Sequence, residues 1–263
     1  RWMLVESVFV VGVAAALRGE YCFTRKLLRQ YKVEWTENKR RLFAVRVVSL
    51  THATVSALLC LFSLLSDSNY AKEPYDYSAY HARYVFLFSM GYFLYDLADM
   101  LFHGEGSSSK EYIVHHSLVI SAFSIILYTG KLYGLAMIAL LVEVQTVLLH
   151  TRSLLHLAGF ARTSFFRILV RFNMTFLFLF RHLPITYLLL FLLFKDDKVP
   201  IVLKALLIGG LGFLEYHNCH LTVSMFKADG FFGAEVAELS EDDVDPLGAV
   251  TKVSGTATDK KLS

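Results

Sequence analysis

Acids, histidines and arginines recur inside stretches of this chain that are otherwise Leu, Phe and Val. Asp96 and Asp99 stand three residues apart, so one helical turn puts both on the same face. His115 and His116 follow after a short polar loop. Adjacent helical residues point about 100° apart, so one of this pair is expected to face the interior and the other a neighbouring helix. Glu143 and His150 lie two turns apart, and His52 stands alone in an earlier stretch. Arg171, Asn173 and Arg181 share a later stretch, and Glu215, His217 and His220 fall in the last.

Three chemistries draw on this set. A histidine beside an aspartate serves as a general base for acyl transfer, which makes His115, His116, Asp96 and Asp99 the catalytic candidates. Paired charges bind a polar lipid head group or an acyl-CoA, and His52, Glu143, His150, Arg152, Arg171 and Arg181 are the candidates for that task. His, Asp and Glu together also ligate metals. No fixed ligand spacing such as His-x-x-x-His occurs, so neither a metal site nor a resident cofactor is expected. Plainer readings stand beside these. Asp96 and Asp99 would pair with Arg171 or a histidine to fix helix packing, and His52 would be a satisfied core histidine. Arg181 needs a carboxylate such as Glu143 or Glu215. The sequence holds no Gly-rich phosphate loop, Gly-x-Ser-x-Gly elbow or nucleic-acid motif.

The elements that must position these groups are membrane helices. Of 263 residues, 55% are hydrophobic and 22 are Phe, and the mean hydropathy is +0.48. A soluble domain is usually about 45–50% apolar. A helix needs roughly 20 apolar residues to cross a bilayer, and such runs recur. Seven are read: Trp2–Leu17, Leu42–Leu65, Tyr80–Phe102, Tyr112–Tyr128, Leu132–His150, Ile168–Phe194 and Pro200–Phe226. Thr129-Gly130-Lys131 reads as a tight hairpin between the fourth and fifth. Pro184 should kink the sixth, and Gly209, Gly210 and Gly212 should let the seventh pack closely. Cys22, Cys60 and Cys219 are odd in number and far apart, which fits small apolar helix residues better than disulfides or a cysteine-based zinc site.

The first loop carries Arg18, Arg25, Lys26, Arg29, Lys32, Lys39, Arg40 and Arg41, so it is assigned to the cytosol. The acidic loop Asp67–Ser78 goes outside, and Thr151–Arg167 returns to the cytosol. Ala14-Ala15-Ala16 also fits a signal-peptide cleavage site, but cleavage would leave the basic loop outside, so a retained helix is favoured. With this alternation the polar groups gather toward the cytosolic side, which implies an internal polar cavity open to that leaflet. Ionisable groups at bilayer depth are costly and point to function. From Lys227 onward the composition turns acidic, then rich in Ser, Thr, Gly and Lys, which predicts disorder. The chain ends in Lys260-Lys261-Leu262-Ser263, a dilysine pattern like that of endoplasmic-reticulum retrieval signals.

Ser89-Met-Gly-Tyr-Phe-Leu-Tyr-Asp96-Leu-Ala-Asp99, then His115-His116, then Leu148-Leu149-His150-Thr151-Arg152, with Ser49-Leu50-Thr51-His52 upstream, resembles the TLC-domain family, which includes ceramide synthases. Within it the chain is most similar to the small TLC-domain-containing proteins of types one and two, implicated in plasma-membrane fluidity. The resemblance implies an all-α polytopic bundle of about seven spans, six of them ringing a central cavity. It divides the chain into a first helix and basic loop (1–41), a TLC domain (42–226) and an acidic tail (227–263). It also implies a regulator that limits polyunsaturated acyl chains in phospholipids at the plasma membrane, with membrane lipids as partners and no nucleic acid. The alternative is a ceramide-synthase-like acyltransferase with acyl-CoA as substrate. Glu143 and His150 stand where ceramide synthases carry a His-Asp-x-x-Asp run, and that pattern is missing here. The length and the lack of a homeobox-like region also depart from an animal ceramide synthase.

Overall fold

The computed structural model describes residues 2–103, 110–195 and 197–228. In order it contains α1 (Trp2–Tyr31), α2 (Glu37–Ser66), the short α3 (Asn69–Lys72), α4 (Tyr80–Phe102), α5 (Lys110–Thr129), α6 (Tyr133–Ala139), α7 (Val142–Leu157), α8 (Ser164–Leu177), a π turn (Phe178–His182), α9 (Leu183–Phe194) and α10 (Ile201–Ala228). No strand occurs among the described residues. Among the described residues, six stretches are long and apolar enough to cross a membrane: Leu4–Tyr31, Glu37–Ser66, Tyr80–Phe102, Lys110–Thr129, Tyr133–Leu157 and Ser164–Phe194. The seventh expected span, α10, is 28 residues long, but Lys204, Glu215, His217, Asn218 and His220 dilute its apolarity. The protein is an all-α, multi-pass membrane bundle.

Several boundaries differ from the hydropathy reading: the fifth span runs to Leu157 rather than His150, the sixth begins at Ser164 rather than Ile168, and the first loop shrinks from both sides. α1 does not stop at Leu17 but runs to Tyr31, and α2 begins at Glu37 rather than Leu42. Arg and Lys are good helix formers, so the backbone continues after apolarity ends, and most of the basic "loop" is helix. Thr36 then caps α2, its hydroxyl accepting from the Lys39 N–H at 3.2 Å. The expected hairpin is present. Gly130 turns the chain at φ +66° without steric cost, and the Gly130 N–H donates to Ile126 O at 2.9 Å. Leu132 also sits at positive φ, held there by donation from its N–H to Tyr75 O at 2.8 Å. Gly134 is packed so tightly that a Cβ would lie 2.1 Å from Tyr70 O and 2.5 Å from Pro74 Cα. By contrast, a Cβ on Gly209, Gly210 or Gly212 would meet nothing within 4 Å. These glycines make no close helix contact, contrary to the sequence expectation, because they fall on an open face of α10 while Leu207, Ile208 and Leu211 beside them pack against the core.

Two spans break from α geometry. In the fifth, the N–H groups of Leu141, Glu143 and Val144 donate three residues back, to Ile138, Leu140 and Leu141 O at 3.2, 3.0 and 3.1 Å. Met137 O is thereby released and accepts from the Cys60 thiol at 3.1 Å. In the sixth, Pro184 has no N–H to offer Phe180 O. The helix loosens just before it, with the Leu183 N–H reaching back to Phe178 O. The kink expected from Pro184 therefore takes the form of a π turn.

Buried charge divides the interior along the bundle axis. One apolar core runs most of its length: at one end it holds Cys60, Tyr70, Val85, Phe86, Phe123, Ile126, Leu132, Tyr133, Leu135, Ala136, Met137, Ile138, Leu188 and Leu192, and it continues through Leu17, Tyr21, Ala44, Val48, Tyr92 and Phe93. At the other end the same spans bury Arg46, His52, Asp99, His116, Glu143, His150, Arg152, Arg181 and His217. The loops at the apolar end are tied together by Asp76, which accepts from Lys131 Nζ at 2.7 Å and Lys198 Nζ at 2.6 Å. The lysines, Lys131 first, hold the Asp76 carboxyl below its ordinary range. At the polar end, Glu37 accepts from Arg25, Arg29 and Arg40 at 2.7–3.2 Å.

Candidate functional site

α4 and α5 bring together the aspartates and the histidine pair. His116 Nε2 lies 2.9 Å from Asp96 Oδ2, and its Nδ1 lies 2.7 Å from Tyr112 O. A carbonyl only accepts, so Nδ1 carries a proton. Nε2 then either donates to a carboxylate, which makes the ring an imidazolium, or accepts from a protonated Asp96. Both nitrogens are engaged in either case. His116 therefore presents no free lone pair to a substrate in this arrangement, which argues against a simple general-base role.

Asp99 does not join the histidines. It faces Arg18 of α1 at 3.3 Å, Arg41 of α2 at 3.5 Å and His103 Nδ1 at 3.4 Å. It serves as a latch between α1, α2 and α4. The two aspartates are one turn apart, as the spacing predicts, but they address different neighbours, and neither pairs with Arg171. His115 turns toward α10, with its ring 6.4 Å from that of His217 and 6.2 Å from that of Phe93. The histidines diverge as adjacent helical positions require. His217 Nδ1 in turn lies 3.2 Å from Glu111 Oε2, and its ring meets Tyr112 edge-on at 5.1 Å.

Deeper in, His52 is 1% exposed and stacks flat on Tyr92, with ring centroids 3.9 Å apart and planes 8° apart. The Tyr92 hydroxyl donates to Ser49 Oγ at 3.0 Å. His52 Nδ1 is 3.9 Å from Glu143 Oε2. His52 Nε2 and His150 Nδ1 are buried with no hydrogen-bond partner in the structure. Arg152 is buried two residues beyond His150 on the same α7, whereas Arg171 is exposed on α8, beside the interior position taken by Asn173. Arg171 is thus no part of the buried cluster: the face of α8 that turns inward is set by Leu169, Asn173 and Leu177.

Arg181 sits in the π turn and is buried. Its expected carboxylate partner is replaced by neutral oxygens. Its Nε donates to Gln145 Oε1 at 3.0 Å, Nη1 to Asn218 Oδ1 at 3.1 Å and Nη2 to Thr146 Oγ1 at 3.0 Å. Gln145 Nε2 donates onward to Asn173 Oδ1 at 2.9 Å. Glu215 Oε1 instead lies 2.5 Å from Nδ1 of the next residue, His182. Sequence reasoning missed Arg46, Gln145, His182 and Asn218. Arg46 reads as the end of the basic run at Arg40-Arg41, and neutral amides carry no charge signal. His182 could have been found as a polar residue two places before Pro184.

Fold and site together define a multi-pass membrane protein whose buried charges and histidines occupy one half of a helix bundle. Residues 42–227 match the family model of the TLC domain, and the chain belongs to that family. It is similar to TLC domain-containing protein 1 of Gallus gallus, 34% identical over 142 residues, which are 54% of this chain and 56% of that protein. It is also similar to TLC domain-containing protein 2 of Danio rerio, 25% identical over 194 residues (74% and 79%). TLC domain-containing protein 2 of Homo sapiens is 32% identical over 165 residues (63% and 62%). The chain spans less than two thirds of the chicken and human relatives it matches. The acidic tail and the terminal Lys260-Lys261-Leu262-Ser263 lie outside the described residues.

Proposed function

We propose that the protein regulates the acyl composition of membrane phospholipids, limiting polyunsaturated chains and so tuning fluidity, with the plasma membrane as its site of action. The observation that carries this reading is the divided interior. The end bearing Asp96–His116, His52–Glu143 and Arg181 complements a charged head group, and the end bearing Phe86, Phe123 and Leu188 complements an acyl chain. An interior of that kind suits an amphiphile. Both nitrogens of His116 are engaged, one with Tyr112 O and one with Asp96, which argues against proton transfer to a substrate at that residue.

The test is phospholipid acyl-chain profiling in cells lacking the protein, rescued with wild type, His116→Ala or His52→Ala at equal expression and placement. The reading expects wild type to restore the profile and His116→Ala to fail. If both variants restore it fully, the polar half of the interior has no part in the effect and the reading is wrong. One observation favours acyl-CoA-dependent acyl transfer as a second reading. His52 has an unpartnered Nε2 and a carboxylate near Nδ1, as a general base requires. Acyl transfer from labelled acyl-CoA by the purified protein, abolished by His52→Ala, would establish it.

A further inference from the structure

His182 and Glu215 are joined by a third group that the buried site does not use. His182 of the π turn and Glu215 and Cys219 of α10 offer one ligand atom each, all within 4.8 Å of one another. Glu215 and Cys219 are four residues apart, so they share a helix face. From these atoms we infer that His182, Glu215 and Cys219 form a zinc-binding site that pins α10 to the sixth span.

The hydrogen bonds around His182 prepare that role. The Thr222 hydroxyl donates to Asn218 O at 2.7 Å, so toward His182 Nε2, 2.8 Å away, it can only accept. Nε2 therefore carries the proton and Nδ1 points at Glu215 Oε1. A ligating histidine held by its other N–H is the usual arrangement around bound zinc. The second Glu215 oxygen is buried with no hydrogen-bond partner, so the carboxylate has spare acceptor capacity on the same side. Imidazole, carboxylate and thiolate together select a borderline-soft ion such as zinc over calcium or magnesium. Ligand atoms about 2.0–2.3 Å from a tetrahedral zinc lie about 3.3–3.7 Å apart. Nδ1 and Oε1, now 2.5 Å apart, would open by about 1 Å as zinc replaces the proton between them and the Cys219 proton is released. Three protein ligands leave a fourth position open, and Cys219 is exposed, so the site is reachable. The ligands come from two helices, which is why no linear spacing reveals them. The inference is independent of the proposed lipid role.

The plainer account is a His182–Glu215 ion pair with no metal, and the experiment separates the two. The full chain is purified in detergent, stripped with chelator, equilibrated with Zn²⁺ alone and assayed for bound zinc. One zinc per chain is expected, with at least tenfold weaker binding in Cys219→Ser and His182→Gln and unchanged binding in Cys22→Ser. Thr222→Val should bind ten- to a hundredfold more weakly, as loss of such a supporting bond does. Zinc should also slow alkylation of Cys219 in the Cys22→Ser protein. Cys219 is exposed, so its serine variant is safe for folding, and gel filtration checks this. Absence of stoichiometric zinc in the wild type overturns the site, as does undiminished binding in Cys219→Ser.

Discussion

Replacing Asp96 with asparagine asks whether His116 is a cation. The variant keeps the side-chain shape and removes the charge. If His116 is an imidazolium donating to Tyr112 O at 2.7 Å and to Asp96 at 2.9 Å, the change leaves a positive ring in a buried place, 7% exposed. Breaking a buried ion pair by removing one partner costs about 3–5 kcal/mol. If the pair is a neutral imidazole and a protonated acid, the loss is one ordinary hydrogen bond, about 0.5–1.5 kcal/mol. At about 2–4 °C per kcal/mol for a chain of this size, the charged case predicts a fall in melting temperature of about 6–20 °C. Thermal unfolding of the purified chain in micelles reads this directly. His116→Ala combined with Asp96→Asn completes the cycle, and the double variant should recover part of the Asp96→Asn loss because no stranded cation remains. An Asp96→Asn protein melting within about 2 °C of wild type refutes the imidazolium. It would return His116 to the list of candidate bases.

Arg181→Met removes three interhelical bonds. Such bonds average about 0.6 kcal/mol within membranes, so a loss near 2 kcal/mol is expected on thermal unfolding, and an unchanged melt would show that the arginine is not holding α7 and α10. Gly134→Ala should destabilise by about 3 kcal/mol or more, because its methyl would strike backbone atoms that cannot move aside. Gly210→Ala, in open space, should be neutral or stabilise by up to about 1 kcal/mol; if the two alanine variants behave alike, the packing assigned to α6 is wrong. Asp76→Asn tests the loop clasp by pH. A carboxyl held below its ordinary value of 3.8 stabilises the fold above that value, and the effect fades as pH falls through its folded-state pKa. The variant should therefore melt below wild type at neutral pH and match it in acid; a gap that persists in acid counts against the ion pair.

Much of the fold is legible because bilayer thickness imposes one rule, roughly 20 apolar residues per span, and six stretches obey it. The ends are less legible. Hydropathy stops at Leu17, but the helix continues through Arg18, Arg25 and Arg29, whose backbone prefers helix whatever the side chain's polarity. For the site, one-turn spacing puts Asp96 and Asp99 on one face of α4, but it does not say that this face brings Asp96 to His116 of α5. The same spacing gives no hint that Asp99, on the same turn, belongs to Arg18 and Arg41, since that depends on where α1 packs. Arg181 stands out in the sequence by its charge, but its partners do not, because Gln145, Thr146 and Asn218 are neutral where a carboxylate is expected. Glu215 lies on α10 as expected but meets His182, one residue along.

That displacement by one residue follows from the π turn. Asn173 and Arg181 are eight residues apart, and in an ideal α-helix eight steps of about 100° leave them about 80° out of line. Read from the sequence, they belong to different faces. A π turn takes up one extra residue, so the effective separation is seven steps, about 20° short of two full turns. Asn173 and Arg181 then share a face, and Gln145 touches both, donating to the first and accepting from the second. The same extra residue turns His182 away from α7 and toward Glu215 on α10. The turn is placed there by Pro184, whose missing N–H makes a regular α-helix costly at that point. On the facing span, the tightened bonds at Leu141–Val144 carry Glu143. Opposite departures from α geometry, one loosened and one tightened, thus lie on either side of the Arg181 network. Backbone irregularity at membrane depth is tolerated only where protein or water meets it. The chain retains it where its buried arginine, glutamate and amides converge, so this interior is built for polar contact as well as for packing.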